Sequence, residues 1–349
     1  MILIGISFFF YFLLGIPDNV FSDRTTDFFY LITYFFKIFT GFALLFLFIN
    51  IFKSKEDLNF FFISASIFLS FIICYLAYKY LVQYDKNFIG VVVDDSLGGM
   101  KSFKNSFATS TALIAPFIFA GIFMDRKTKF YSLISFFLIL FLLYWVNSRS
   151  AIIILFFEIF TFYLVSKSQN TKKQTRRGLF FVIIILILSG ISFVDWINKN
   201  EAFSDGIKNP WSESASSEYN MLETHRAWLI FEAIDGYIDS SLLGNGIATF
   251  RIRESNLGHR TDTHNDYILL LYEQGTLGFL ILISFIFYRI RSNVILSRKI
   301  SNRYLEASIS ALSGLLIALV FINLIQTLVF WSILALSCVF SYQKKLFSG

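Results

Sequence analysis

The sequence predicts an all-α integral membrane protein with about ten transmembrane helices and one large outward loop that carries amphipathic helices. Three observations predict this. Hydrophobic residues make up 56% of the 349 positions and aromatics 19%, while charged residues reach only 15%. The apolar residues come in long runs rather than amphipathic stripes, whereas helices facing water need a polar face. Lys and Arg collect in short loops between those runs, as the positive-inside rule requires.

The net charge of +6 therefore reflects orientation in a membrane, and no nucleic-acid partner is expected. Cys74 and Cys338 both sit in apolar runs far apart in sequence. They read as packing residues rather than a disulfide or thiolate metal site. The N-terminal apolar run has no Lys or Arg before it and no small-residue cleavage site after it. It reads as a span, or what remains of one, rather than a signal peptide.

In order, the expected spans are residues 2–16, 28–52, 59–82, 106–124, 130–146, 150–166, 178–195, 265–288, 304–322 and 325–342. Each is long enough to cross about 30 Å of hydrocarbon, the first being short. The last two are divided only by the region from Asn323 to Gln326. Basic loops lie at Arg126, Lys127 and Lys129, at Lys167 to Arg177, and at Arg289 to Arg303, with Lys344 and Lys345 in the tail. All four fall on one side of such a chain, which is then cytoplasmic. The organisation is N-terminal helices (1–195), a large outward loop (196–263) and C-terminal helices (264–349), forming a single membrane domain.

The large loop holds His225 and His259, and the third histidine, His264, follows at its end. Within it, Leu222, Trp228, Leu229, Phe231 and Ile234 alternate with charged residues, which predicts an amphipathic helix on the membrane surface. LLGNGIATF (242–250) breaks that helix with two glycines, where a turn lets the backbone come close to a membrane or ligand.

Three side chains stand out for chemistry. Arg149, in NSRSA, falls at the outer end of the sixth span, against the positive-inside bias. It reads either as a snorkelling arginine on lipid head groups or as a fixed cation for an anionic substrate. Arg226, in THRAWLIF, is a solvated or Glu-paired charge or a second cation for a pyrophosphate. His264 opens HNDYILLLYEQGTLGFLILIS. On a continuous helix Gly275 falls about 16 Å below it on one stripe, with Gly278 beside it, so that a neighbouring helix or lipid chain can come close. The alternative is a capped helix start with Asp266 in its first turn. Lys37 and Glu158 are charges at similar depth that can pair or line a cavity. Asp94 and Asp95 form a weak candidate for a divalent cation.

HNDYILLLYEQGTLG fits H-[NSQ]-x9-G-x-x-[GTY], with His264, Asn265, Gly275 and Gly278 at the fixed positions. In this it resembles the O-antigen ligases, membrane enzymes that finish lipopolysaccharide. The surrounding order is similar too: an SR dipeptide opening a span, a basic loop, R-A-W and L-x-G-x-G in an outward loop, then the His motif. The resemblance covers residues 105–290 and extends to the related O-antigen polymerases and O-linked oligosaccharyltransferases.

The resemblance implies glycan transfer at the periplasmic face of the bacterial inner membrane, from an undecaprenyl diphosphate-linked donor to the lipid A core. It implies a catalytic His264 and pyrophosphate-binding Arg149 and Arg226, with Asn265, Gly275 and Gly278 supporting them. It implies no cofactor or metal, and inversion at the anomeric carbon. Family members usually have about twelve spans, so a shortened N-terminus is expected. Polymerases often carry R-x10-G; eleven residues beyond Arg226, Arg251, Arg253 and Arg260 stand Tyr237, Asp262, His264 and Leu271. A polymerase or protein O-oligosaccharyltransferase would use the same donor and another acceptor. A transporter would show paired polar breaks at mid-membrane in two halves, and no internal repeat is visible.

Overall fold

The computed structural model describes residues 27–83, 100–146, 148–167, 169–199, 220–240, 242–246, 249–250, 263–300, 302–325 and 327–342. All the regular structure among them is helical. The helices are α1 (Asp27–Ile51), α2 (Lys55–Gln83), α3 (Met100–Gly121), α4 (Arg126–Val146), α5 (Arg149–Val165), α6 (Gln169–Lys199), α7 (Asn220–Asp239), α8 (Asp266–Lys299), α9 (Arg303–Ala318) and α10 (Leu328–Tyr342). Apart from α7, each occupies the place of an expected span; the first such span, 2–16, lies outside the described residues, as do Asp94 and Asp95. By length and apolarity, Glu56–Tyr75 in α2, Arg126–Val146 in α4 and Asp266–Lys299 in α8 can cross a membrane. Phe39–Ile51, Phe107–Gly121 and Leu328–Phe340 are shorter apolar helices.

Large apolar side chains cover the outside as well as the inside. Phe46 is 71% exposed and Phe71 72%, which costs little only where the surroundings are hydrocarbon. With lipid outside, helix association depends on close packing more than on hydrophobic burial, and α9 shows how this sequence achieves it. Ala307, Ser308, Ser310, Ala311, Gly314 and Ala318 are small, and all are buried. They let α9 sit at the centre, against α3, α5, α8 and α10. Its closest neighbour is α5: a Cβ at Gly314 would lie 2.3 Å from Glu158 Oε1. Ser313 Oγ donates to Thr161 Oγ1 at 3.0 Å, and the Ser310 hydroxyl donates to the Glu158 carbonyl. Around this centre α4 packs on α2 and α3, α6 on α5, and α1 on α10. In the last pair, Gly41 lies against the Trp331 ring.

The basic segments gather at one end. Arg303 Nη1 reaches Ser166 Oγ at 3.2 Å and Glu306 Oε2 at 2.8 Å, and its guanidinium lies 5.9 Å from the centre of the Phe123 ring. Lys167 Nζ donates to the Arg298 carbonyl. Asp125 caps α4 there, accepting from the Thr128 hydroxyl at 2.7 Å and the Thr128 amide at 3.2 Å. These bonds favour the ionised carboxylate and lower its pKa from the usual value.

Several expectations are corrected. Lys172 to Arg177 belong to the first turns of α6 rather than a loop. α8 runs on to Lys299, so Arg289 is a buried helical residue that donates to the Ser337 carbonyl. Asn293 shares that carbonyl at 3.2 Å. Both need the bond because a buried cation or amide without an acceptor would be costly. The last two helices are separated by residues 319–327, more than Asn323 to Gln326. Cys74 is exposed on α2 rather than packed, whereas Cys338 is half-buried on α10. Lys37 and Glu158 form no ion pair: the Glu158 carboxylate is fully buried against Gly314 and has no hydrogen-bond partner among the described residues.

Candidate functional site

The turn before α8 combines three adjacent polar residues with three different duties. Asn265 is the N-cap, its Oδ1 accepting from the amides of Tyr267 at 3.0 Å and Ile268 at 3.2 Å. Those amides would otherwise lack a partner at the start of a helix. Asp266 is fully buried and reaches across to the turn between α9 and α10. Its amide donates to the Leu319 carbonyl at 2.8 Å, and its Oδ2 accepts from the amides of Leu324 and, at 3.0 Å, Ile325. The Tyr267 hydroxyl adds a bond to the Leu316 carbonyl at 2.6 Å. His264, half-buried, takes a positive φ of 51°, a conformation that costs a residue with a Cβ about 1 kcal/mol. The bonds on either side hold it there.

Substituting Asn265 by Ala removes the cap, and the expected loss of stability is about 1 kcal/mol. Asn265→Asp, which keeps the acceptor, should retain most of it. Thermal unfolding in detergent compares the two.

The continuous stripe expected from His264 down to Gly275 does not exist. At Gly275 the backbone leaves helical geometry, with φ 63° and ψ −173°, a region open essentially only to glycine. α8 is therefore two helices in series, and the break strands backbone groups that the loop LLGNG (242–246) satisfies. The amide of Asn245 donates to the Tyr272 carbonyl at 2.9 Å, that of Gly246 to the Glu273 carbonyl at 2.8 Å, and that of Leu277 to the Leu242 carbonyl at 3.2 Å. Asn245 Nδ2 bridges the carbonyls of Gly236 at 2.9 Å and Tyr272 at 3.2 Å. The contact is backbone against backbone. A Cβ at Gly275 would stand 2.4 Å from the Leu242 oxygen, and one at Gly244 2.4 Å from the Gly275 nitrogen. The L-x-G-x-G element and the distant glycine of the His motif thus form one joint. Gly278 lies just beyond it, where a Cβ would meet Gln274 Cβ at 2.5 Å.

The amphipathic helix forms as α7, with Leu229 of the expected apolar set buried, Ile234 half-buried and Phe231 exposed. Ala233 and Gly236 are buried as well. Leu229 and Ala233 cluster with Phe250, Leu269 and Tyr272. The partner is α8, and smaller side chains allow a closer approach than the aromatic face. Further along, the Tyr237 hydroxyl meets Thr276 Oγ1 at 2.8 Å. The two helices therefore run in the same direction, and the turn of α7 that carries Arg226 lies toward the start of α8. The side chains of Arg226, His225, Leu222 and Trp228, and all of His259, lie outside the described residues.

Arg149 is the first residue of α5 and is exposed. α5 runs antiparallel to α9, from Ser166 beside Arg303 to Glu158 beside Gly314. Nine residues further, about 13 Å along a helix, Arg149 comes to the end where α9 stops and the Leu319 carbonyl holds Asp266. Arg149 and His264 therefore share the end of the bundle opposite the basic segments.

Asp266 as an anchor, Asn245 as a bridge and the break at Gly275 were not legible beforehand. The only signal was that both joined segments place glycines at fixed spacing.

No match to a curated protein was found. A family model described as O-antigen ligase matches residues 134–283, from within α4 to the middle of α8, and includes Arg149, Arg226, His264, Gly275 and Gly278. Across those residues, somewhat under half of its length, the chain is similar to the O-antigen ligase family, whose members are membrane glycosyltransferases.

Proposed function

We propose that the protein is an O-antigen ligase of the bacterial inner membrane, moving a glycan from undecaprenyl diphosphate to the lipid A core at the periplasmic face. The observation that carries this reading is the placement of His264. It lies inside the family match, in the turn that leads into a half-helix anchored at both ends, and at the same end of the bundle as Arg149. The basic segments at the opposite end support an outward-facing site.

In this reading the acceptor hydroxyl attacks the anomeric carbon from the face opposite the diphosphate, and the configuration inverts. A new C–O bond forms as the sugar–phosphate C–O bond breaks. The bonding electron pair leaves with undecaprenyl diphosphate, and the hydroxyl proton passes to the neutral imidazole of His264. The guanidinium groups of Arg149 and Arg226 match phosphate oxygens bidentately and stabilise the charge that develops on the leaving group. No metal is assigned a role.

Removing either cation should weaken donor use. Arg149→Ala and Arg226→Ala are each expected to reduce transfer about 10- to 100-fold, with Arg→Lys partly restoring it because a point charge lacks the fork. Initial rates at varied donor concentration check this, and unchanged donor kinetics in both variants would remove the arginines from the reading. Reconstitution of the purified protein with a defined donor and three alternative acceptors tests the function itself. Transfer to lipid A core is expected. Chain extension of the donor alone would make it a polymerase, and transfer to a secreted protein an oligosaccharyltransferase.

A further inference from the structure

The turn between α9 and α10 is held by several of its own polar groups. The Leu319 carbonyl and the amides of Leu324 and Ile325 are bound to Asp266. The Ile325 carbonyl accepts from Trp331 Nε1 at 2.8 Å, and the Leu324 carbonyl accepts from the Thr327 hydroxyl at 2.7 Å. Asn323 stands apart. Its Nδ2 and Oδ1 are both shut off from solvent, and neither has a hydrogen-bond partner among the described residues.

A buried amide with both ends unpaired forfeits its hydration without a hydrogen bond in return, and a Leu or Ala would avoid that cost. Polar groups kept at such expense concentrate where a ligand completes them. Asn323 is one residue from the Leu324 amide held by Asp266, and His264 is two residues from the same carboxylate. One buried carboxylate thus sets the position of both, although Asn323 lies outside residues 134–283.

The chemistry of the group selects its partner. A primary amide offers a donor and an acceptor side by side, which matches two neighbouring hydroxyls of a sugar ring. A phosphate accepts hydrogen bonds without returning one and is better served by guanidinium.

We infer that Asn323 is a glycan-binding residue that hydrogen-bonds a hydroxyl pair of a sugar brought to His264. This rests on the glycosyl-transfer reading. The sugar belongs either to the lipid-linked donor or to the acceptor, and separate kinetics for the two decide which.

The experiment compares the full-length protein with its Asn323→Ala and Asn323→Leu variants. With donor and acceptor varied in turn, KM for one of the two should rise about 10-fold while kcat stays within about threefold, the loss expected of one or two hydrogen bonds. The unfolding temperature of both variants, read without substrate, should equal or exceed that of the wild type, because the unpaired amide is gone. A purely structural Asn323 would lower it instead.

A second readout is independent of catalysis. The lipid-free repeat-unit oligosaccharide or the lipid-free core oligosaccharide should raise the unfolding temperature of the wild type and not of the variants. Unchanged KM for both substrates, or an equal oligosaccharide shift in wild type and variants, overturns the inference. Should the wild type transfer no glycan yet keep a shift that the variants lose, the ligase reading falls and the sugar contact stands.

Discussion

Replacing His264 with Ala should lower glycan transfer at least 100-fold while the protein still accumulates in the membrane. A positioned general base contributes about 10²- to 10⁴-fold, and in the proposed reaction no neighbour is assigned to take the proton. The backbone makes the experiment unusually clean. His264 has a positive φ, and Ala bears the same steric cost there, so the substitution leaves the strain where it was. His264→Gly goes further, because glycine adopts that conformation freely and should match or exceed wild-type stability. A variant at least as stable as the parent and unable to transfer would separate chemistry from folding. Full activity of purified His264→Ala with lipid-linked donor and core acceptor would remove the general base from the mechanism. A Gln or Asn at 264 that restored substantial transfer would show that the imidazole orients the hydroxyl rather than taking its proton.

Gly275→Ala is the second large effect, and here two geometries predict opposite signs. In the continuous helix expected from the sequence, Ala in place of Gly would stabilise by about 1 kcal/mol. In the broken helix the new Cβ would need to occupy space 2.4 Å from the Leu242 oxygen at φ 63°. That conformation alone costs about 1–3 kcal/mol, and each backbone bond lost from the joint adds about 0.5–1.5 kcal/mol. The expected result is a destabilisation of roughly 3 kcal/mol or more, read as a lower unfolding temperature in detergent. Faster proteolysis within 240–246 and loss of most transfer should accompany it. Gly244→Ala should behave alike, since its Cβ would strike the same joint from the other side. The double variant should lose less than the sum of the two, because the contact can be broken only once. A Gly275→Ala protein more stable than the wild type would refute the break.

Both experiments probe a motif whose members were visible in the sequence but whose connections were not. The His motif and the L-x-G-x-G element were recognisable by spacing, and the helical starts of α5 and α8 fall within a residue or so of the expected spans. What failed was the assumption that an apolar run of helical length is one helix. Glu273, Gln274 and Thr276 interrupt the apolar run beside Gly275, but a polar dip that short is compatible with an unbroken helix. Only the loop at 242–246, docked against it, makes the break stable. On α7 periodicity groups Leu229 with Phe231, but only packing separates them: Leu229 and Ala233 lie against α8 while Phe231 stays exposed. The basic residue Arg289 looked like loop charge because charge is rare inside a span, and it is tolerated only because α10 offers the Ser337 carbonyl.

The sequence by itself determined the membrane class, the order of the helices and the residues worth asking about, because each depends on local composition, on periodicity or on a short spacing. The tertiary structure alone decided that α9 is the central helix, that Asp266 ties the start of α8 to the turn holding Asn323, and that Gly275 divides α8. These depend on hydrogen bonds between segments far apart in the chain. Inside a membrane bundle a stranded backbone group, like those beside Gly275, is stable only where another segment supplies its partner, and that partner is set by packing.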